Sequence, residues 1–216
     1  MVKPAIAQRK VPRQRRSRVT VDAIIEATLQ ILAKGGVAAL NTTRAAERAG
    51  VSVGTLYQYF PTREALLEAA LKRQIALVLD VLRRAADESR GAPLEDRLRA
   101  VLGALLELKR REPRLFRAFS TELPRIEGMS TKQELTRPAT ELLLTMLRED
   151  AGGAQGRLPS QAAVATVVHA VEGASTRALE DPKLLASSEF AETLVAMALG
   201  GLRRQSEPPS CTLVVR

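Results

Sequence analysis

Residues 41–63 read NTTRAAERAGVSVGTLYQYFPTR, and the fold turns on this stretch. It carries the punctuation of a helix, a tight turn, a second short helix and the start of a third. A first short helix is predicted from Thr42 to Ala49, with Asn41 and Thr42 able to cap it. Gly50 ends it, because glycine accepts the left-handed backbone of a helix C-terminus without penalty. Val51 can plug the turn into the core. Ser52 is a good N-cap, since its hydroxyl can accept from an orphan N–H of the next helix. That helix, Val53 to Tyr59, is too short to be stable alone. Phe60 can pin it down and Pro61 stops it. Thr62 then caps a long helix, with Glu64 in its first turn where the dipole favours an acid. Helix–turn–helix units use this layout to lay a second helix in the DNA major groove.

Three of the six Phe and Tyr residues, Tyr57, Tyr59 and Phe60, fall within four positions, and there is no Trp. Core packing is the plain explanation and suits Phe60. Tyr57 and Tyr59 are two apart on a helix and point in different directions, so at least one should be exposed, with its hydroxyl free for a phosphate. Leu56 and Phe60 should face inward. Val53, Gly54, Thr55, Tyr57, Gln58 and Tyr59 are the exposed expectations. Gly54 lets the helix approach base edges, Val53 suits a thymine methyl, and Gln58 suits adenine or a phosphate. The hydroxyls of Thr55, Tyr57 and Tyr59 suit phosphate oxygens, and Arg63 would add a cation to the same backbone.

The run AERAGVSVGTLYQYFPTREALL, residues 46–67, resembles the DNA-binding domain of TetR/AcrR-family transcriptional repressors. The match covers roughly residues 19–71 and is far more specific than a generic helix–turn–helix score. The resemblance implies an all-α homodimer of about nine helices. A three-helix head would read double-stranded DNA, and a larger C-terminal domain would hold a small-molecule inducer and dimerise. It implies a phosphate contact from Thr42 and a base contact from Thr43, with Ser52 beside them and Arg18 on the basic flank of the first helix. Two departures stand out. Ala45 occupies a position where the family mostly has a large aliphatic, and Val53 one where many relatives carry Lys.

The formal charge is +9 over 216 residues, and +7 of it lies in residues 1–18, which contain no acid. A basic arm ahead of a near-neutral body suggests contact with a polyanion, while a solubilising disordered tail is the plainer alternative. The expected organisation is therefore a disordered arm at 1–18, the head at 19–64, a helical ligand-binding and dimerisation domain at 65–204, and a disordered tail at 205–216. The single cysteine, Cys211, excludes an intrachain disulfide. No apolar run approaches the ~20 residues that span a bilayer, and no secretory h-region opens the chain, so a soluble cytoplasmic protein is expected.

Thr20 is predicted to cap the first helix, whose apolar positions run to Lys34 before Gly35 and Gly36. A long helix follows from Thr62 to about Glu88, then a break around Gly91. The next helix should end in Lys109, Arg110 and Arg111, read as cations complementing a helix C-terminus. A short helix carries Phe116 and Phe119. Ser130 with Gln133, or Thr131 with Glu134, makes a capping box for the following helix, which Pro138 either kinks or begins. A Gly-rich loop near 151–156 lacks the ending of a phosphate loop. Two smooth helices close the chain. The family resemblance places its dimer bundle there, on Val164, Val167, Val171, Ala174, Leu194 and Ala198, with a simple buried core as the alternative.

No catalytic constellation can be assembled, and no His or Cys cluster suits a metal; no cofactor is expected. His169, the only histidine, shares a helix face with Glu172 and Thr176. That polar stripe is open to three readings: satisfied in or near the core, part of a dimer contact, or an anchor in a ligand pocket. Pocket expectations from the resemblance are Val78, Leu102, Leu105, Phe116, Phe119, Leu143, Met146 and His169, with plain core packing as the alternative for each. The low aromatic count favours an aliphatic ligand. The weighed alternative to a regulator is a non-specific nucleic-acid-coating protein driven by the basic arm.

Overall fold

The computed structural model describes residues 15–122, 132–151 and 158–203. Residues 1–14, the capping-box serine and threonine at 130 and 131, the Gly-rich loop and the C-terminal tail lie outside the described residues. Within them there are ten α-helices and no strand. They are α1 (Arg15–Gly35), α2 (Thr42–Ala49), α3 (Val53–Tyr59), α4 (Arg63–Glu88), α5 (Leu94–Arg111), α6 (Pro113–Arg117), α7 (Lys132–Ala151), α8 (Gln161–Arg177), α9 (Pro182–Ala186) and α10 (Ser188–Arg203). The all-α class expected from the sequence holds, with one helix more than the nine anticipated. The extra element is α9, whose start is capped by the Asp181 carboxylate accepting from the N–H groups of Lys183 and Leu184.

Helix α1 begins at Arg15, five residues before the expected cap at Thr20, so Arg15–Arg18 is helical rather than part of a disordered arm. Thr20 is an interior residue of that helix. Arginine is a good helix former and competes little with the backbone, so nothing in this run stops a turn from growing outward from the apolar segment. Pro138 lies inside α7, which starts six residues earlier, so it is not the helix start.

The chain divides into two compact units. The first joins residues 1–78 to 111–132, and the second joins 79–110 to 133–216. The division falls within α4, well beyond residue 64, and α6 belongs with the head. In the first unit α1 packs against α2 and α6, and α2 against α3. Ile24, Thr28, Leu32, Leu56, Phe60, Leu66 and Leu67 form its core with almost no exposure. The Thr28 hydroxyl is satisfied by donating to the Ile24 carbonyl at 2.8 Å, the usual solution for a buried threonine in a helix. The 3-10 turn Val37–Ala39 joins α1 to α2. Helix α6 runs on through a π-helical turn, Ala118–Glu122, and both of its phenylalanines, Phe116 and Phe119, are buried.

In the second unit α8 packs against α10. Ser160 caps α8 through the Ala163 N–H. Val164, Val167, Val171, Leu194, Val195, Ala198 and Leu199 are all buried there. Gly201 permits the close approach: a Cβ built on it would stand 2.7 Å from a Val167 methyl. Arg97, itself buried, ties α5 to α7 by donating to the Met146 carbonyl at 3.2 Å and to the Glu149 carboxylate at 2.6 Å. At the surface Arg99 bridges α5 and α10 through Glu192.

Gly201→Ala should therefore destabilise the protein by about 1–2 kcal/mol, overpacking outweighing the ~1 kcal/mol helix-propensity gain of alanine. Val167→Ala in the same chain should recover part of that loss. Urea denaturation of the two single variants and the double variant measures the coupling.

Candidate functional site

The reading surface is built by α2 and α3. Asn41 caps α2, its side-chain oxygen accepting from the Arg44 N–H at 2.7 Å. Gly50 closes α2 with φ +69°, the left-handed conformation that a side chain would strain. Its N–H and that of Val51 take up carbonyls of the last turn. Ser52 caps α3, its hydroxyl oxygen accepting from the Thr55 N–H at 3.0 Å and lying 2.8 Å from the Thr55 hydroxyl. Leu56 and Phe60 are fully buried, as the i, i+4 spacing predicts.

Outward, Thr43, Ser52, Gly54, Tyr57 and Gln58 are exposed, and Thr42, Val53 and Thr55 are half-buried. Arg18 is exposed on α1. Tyr57 is 43% exposed and its hydroxyl lies 3.0 Å from the Thr42 hydroxyl, across fifteen residues of sequence. This bridge sets two phosphate-competent hydroxyls side by side, one from the start of α2 and one from the middle of α3. One sequence expectation is corrected and a second meets a competing contact. Tyr59 is buried, because it stands three residues after Leu56 and next to Phe60 and so shares the inward face. Arg63 is half-buried, and two of its nitrogens are spent on the protein's own backbone: Nε donates to the Leu40 carbonyl at 3.1 Å and Nη2 to the Val37 carbonyl at 2.6 Å.

Among the proposed pocket residues, Val78, Phe116 and Phe119 belong to the first unit, and Leu102, Leu105, Leu143, Met146 and His169 to the second. Leu102, Leu143, Met146, Phe116 and Phe119 are buried, and Val78 and Leu105 are half-buried. His169 is exposed, with Nε2 2.8 Å from the Thr136 hydroxyl of α7. It is therefore a surface residue of α8 rather than an interior anchor. The proposed dimer residues are also reassigned. Val164, Val167, Val171, Leu194 and Ala198 are buried within the single chain, and Ala174 is half-buried. Large aliphatics at helical spacing mark the face that meets the chain's own core first.

The polar stripe on α8 finds its explanation in a residue that the sequence assigned elsewhere. Lys109 is not a helix-end cation in solvent: it has no exposed side-chain surface. Its ammonium donates to Glu172 Oε2 at 3.0 Å, to the Ser175 hydroxyl at 2.9 Å and to the Thr176 hydroxyl at 3.1 Å. Glu172 Oε1 accepts from Thr176 in turn. All three ammonium protons thus have acceptors, as a buried lysine requires. Burial pushes the Lys109 pKa down from its usual 10.5, partly opposed by the Glu172 carboxylate. The i, i+3, i+4 pattern of Glu172, Ser175 and Thr176 was the available signal; what it lacked was a named partner. No group of three His, Cys, Asp or Glu able to hold a metal occurs among the described residues. No described helix is long and apolar enough to cross a membrane.

Two measurements follow from these contacts. Ser52→Ala should cost about 1 kcal/mol in urea denaturation, the value of a lost N-cap. For Lys109 the sign is fixed by its lowered pKa. Between that pKa and 10.5 the unfolded chain holds a proton that the folded chain has released, so stability rises with pH across the window. Wild-type protein should therefore gain stability relative to Lys109→Met between neutral pH and about pH 10.5, read from parallel urea titrations. A constant difference would show that the buried ammonium titrates normally.

A family model described as bacterial regulatory proteins, tetR family, matches residues 24–70, and one described as tetracyclin repressor-like, C-terminal domain, matches residues 93–202. The HTH-type transcriptional repressor KstR of Mycolicibacterium smegmatis is 41% identical over 108 residues, 50% of this chain and 50% of that protein. KstR of Mycobacterium tuberculosis is 38% identical over 108 residues, 50% of this chain and 46% of that one. The chain thus spans about half the length of the curated relatives it matches. Among solved structures, a TetR family transcription regulator from Marinobacter aquaeolei VT8 superposes with a TM-score of 0.61 at 25% identity, over 87% of this chain and 97% of that one. The FadR regulator of Bacillus subtilis, solved with stearoyl-CoA, shares the fold with a TM-score of 0.66 at 20% identity, over 84% of this chain and 98% of that one. With its helix–turn–helix head and its helical C-terminal region both matched, the chain belongs to the tetR family of bacterial regulatory proteins.

Proposed function

We propose that the protein is a dimeric, ligand-responsive transcriptional repressor of the cytoplasm that binds a palindromic DNA operator. The observation that carries this reading is the Thr42–Tyr57 hydroxyl bridge at 3.0 Å, flanked by the exposed side chains of Thr43 and Gln58 and the bare backbone of Gly54. Hydroxyls suit phosphate oxygens and fix register, while Thr43, Val53 and Gln58 stand where base edges would be read. Arg18 and the basic segment before it supply the sequence-independent attraction to the duplex.

Dimerisation is assigned to the outer faces of α8 and α10. With the large aliphatics facing inward, the small or uncharged exposed positions include Ala162, Thr166, Ala170 and Gly173 on α8, and Thr193, Ala196, Met197 and Gly200 on α10, beside the exposed His169, Arg177, Glu189 and Glu192. A second copy would bury the uncharged positions by the close helix packing that small residues allow. Two heads would then reach successive major grooves about one helical turn apart. An inducer of aliphatic character, held among the helices of the C-terminal domain, would favour head spacings that do not fit the operator. The family's role as DNA-binding regulators argues for this over catalysis.

Selection from random duplex DNA should return one palindrome, both with the full chain and with residues 1–18 removed. Tyr57→Phe should weaken every selected site by a similar factor, roughly 10–100-fold for one lost hydrogen bond to a charged oxygen. Val53→Ala or Thr43→Ala should instead change which bases are preferred. Recovery of no consensus, with binding lost on removing the arm, would point to non-specific coating of nucleic acid and overturn the repressor reading.

A further inference from the structure

Arg63 occupies the first turn of α4, where a cation faces the positive end of the helix dipole. Its side chain folds back into the head instead of outward. The guanidinium reaches two carbonyls 23 and 26 residues earlier in the chain, those of Leu40 at 3.1 Å and Val37 at 2.6 Å. Both belong to the connector between α1 and α2. The Val37 carbonyl also accepts the Leu40 N–H, and Leu40 itself is buried. Other arginines hold the connector and the end of α1 that leads into it. Arg44 Nη1 lies 3.4 Å from the Ala39 carbonyl, and Arg114 Nη1 donates to the Lys34 carbonyl at 2.5 Å.

The placement of these two acceptors has a topological meaning. Leu40 is the residue immediately before the Asn41 cap of α2, and Arg63 is the third residue after the Phe60 that ends α3. The whole reading unit lies between them. The guanidinium therefore ties the entry of that unit to its exit, closing it into a ring with one charged brace. Lysine could not substitute, because its ammonium is a flexible point donor, whereas the planar fork of arginine spans two fixed acceptors.

We propose that Arg63 is a positioning residue for operator recognition and not a phosphate ligand: by bracing Val37 and Leu40 it sets the angle at which α2 and α3 meet the major groove. This rests on the DNA-binding reading above. Its consequence is separable from that of a phosphate contact. A phosphate ligand contributes about one counterion to the salt dependence and binds all sequences alike. A brace contributes nothing to the salt dependence and acts on specificity, because base contacts depend on angle more than the diffuse attraction of the basic arm does.

The test compares wild type, Arg63→Lys and Arg63→Gln on the operator duplex selected by the wild-type protein and on a scrambled duplex, across a salt series. Measurements are made well below the melting temperature of each variant. In both variants the ratio of operator to scrambled affinity should fall by about 10-fold or more, while the slope of log affinity against log salt for Arg63→Gln stays at the wild-type value. Wild-type behaviour of Arg63→Lys would overturn the proposal. So would a slope reduced by about one in Arg63→Gln with specificity intact, the mark of a phosphate ligand. Unchanged binding by both folded variants would reduce Arg63 to a stabilising contact. If Arg63→Gln does not fold, Arg63→Lys decides alone. If the wild-type protein selects no duplex, the regulator reading itself fails, and this proposal with it.

Discussion

A seven-residue helix cannot hold itself in water, and α3 is such a helix. Nucleating a helix fixes several residues for a single hydrogen bond, so a stretch this short forms only where its surroundings impose it. Every device near it serves that end. Gly50 turns the chain through a left-handed residue, Ser52 satisfies the Thr55 N–H in the first turn, and Leu56, Tyr59 and Phe60 sink one side into the core. Tyr57 is held from the other side by the Thr42 hydroxyl. Because the inward face is over-determined, the outward face is too. Positions 53, 54, 57 and 58 are therefore held on the side of α3 away from the core.

The second unit solves a different problem with charge. Its helices are joined across the core by a buried ammonium and a buried guanidinium, Lys109 and Arg97, each supplied with acceptors from a partner helix. A hydrophobic substitute of similar size would pack as well or better, since two charges must first be dehydrated. What the polar version adds is register: three acceptors within one turn and a half of α8 admit the Lys109 ammonium at one depth only. Apolar helix faces rich in alanine and valine slide past one another at little cost, and a fixed polar point prevents that.

Much of the head was legible because its signals are local. Caps, a left-handed glycine and an i, i+4 apolar pair are written within a few residues of where they act, and Asn41, Gly50, Ser52, Thr62 and Phe60 all do what their types and spacing foretold. The misassignments concern partners distant in sequence. Lys109 beside Arg110 and Arg111 looks like a helix-end cation, and only α8, more than sixty residues on, reveals it as a core residue. Arg63 next to a recognition helix reads as a phosphate contact from sequence alone, and only the fold brings its acceptors at Val37 and Leu40 into view. Tyr59 was misplaced for a subtler reason. Helical geometry said that Tyr57 and Tyr59 diverge, but not which of them turns inward, and the neighbouring Phe60 decides it.

The same reasoning explains why the largest aliphatics of α8 and α10 misled as markers of an interface between copies. A helix that must face both its own core and a second chain has two apolar stripes, and residue size sorts them. Valines and leucines fill the concave interior, where volume is rewarded, as at Val164, Val171 and Leu194. Alanine, glycine and threonine, with Met197, remain among the exposed positions, where the proposed dimer would be met mainly by backbone approach. Gly201 belongs to the first stripe despite its size, since Val167 occupies the space where its Cβ would be. The exposed positions of α8 and α10 thus combine small uncharged residues with Met197 and with the charged Arg177, Glu189 and Glu192. Exposed apolar surface of that kind is a liability on a lone molecule and an asset only when covered. The dimer proposed above would supply such a cover, with a second copy of the chain meeting the uncharged part of this face.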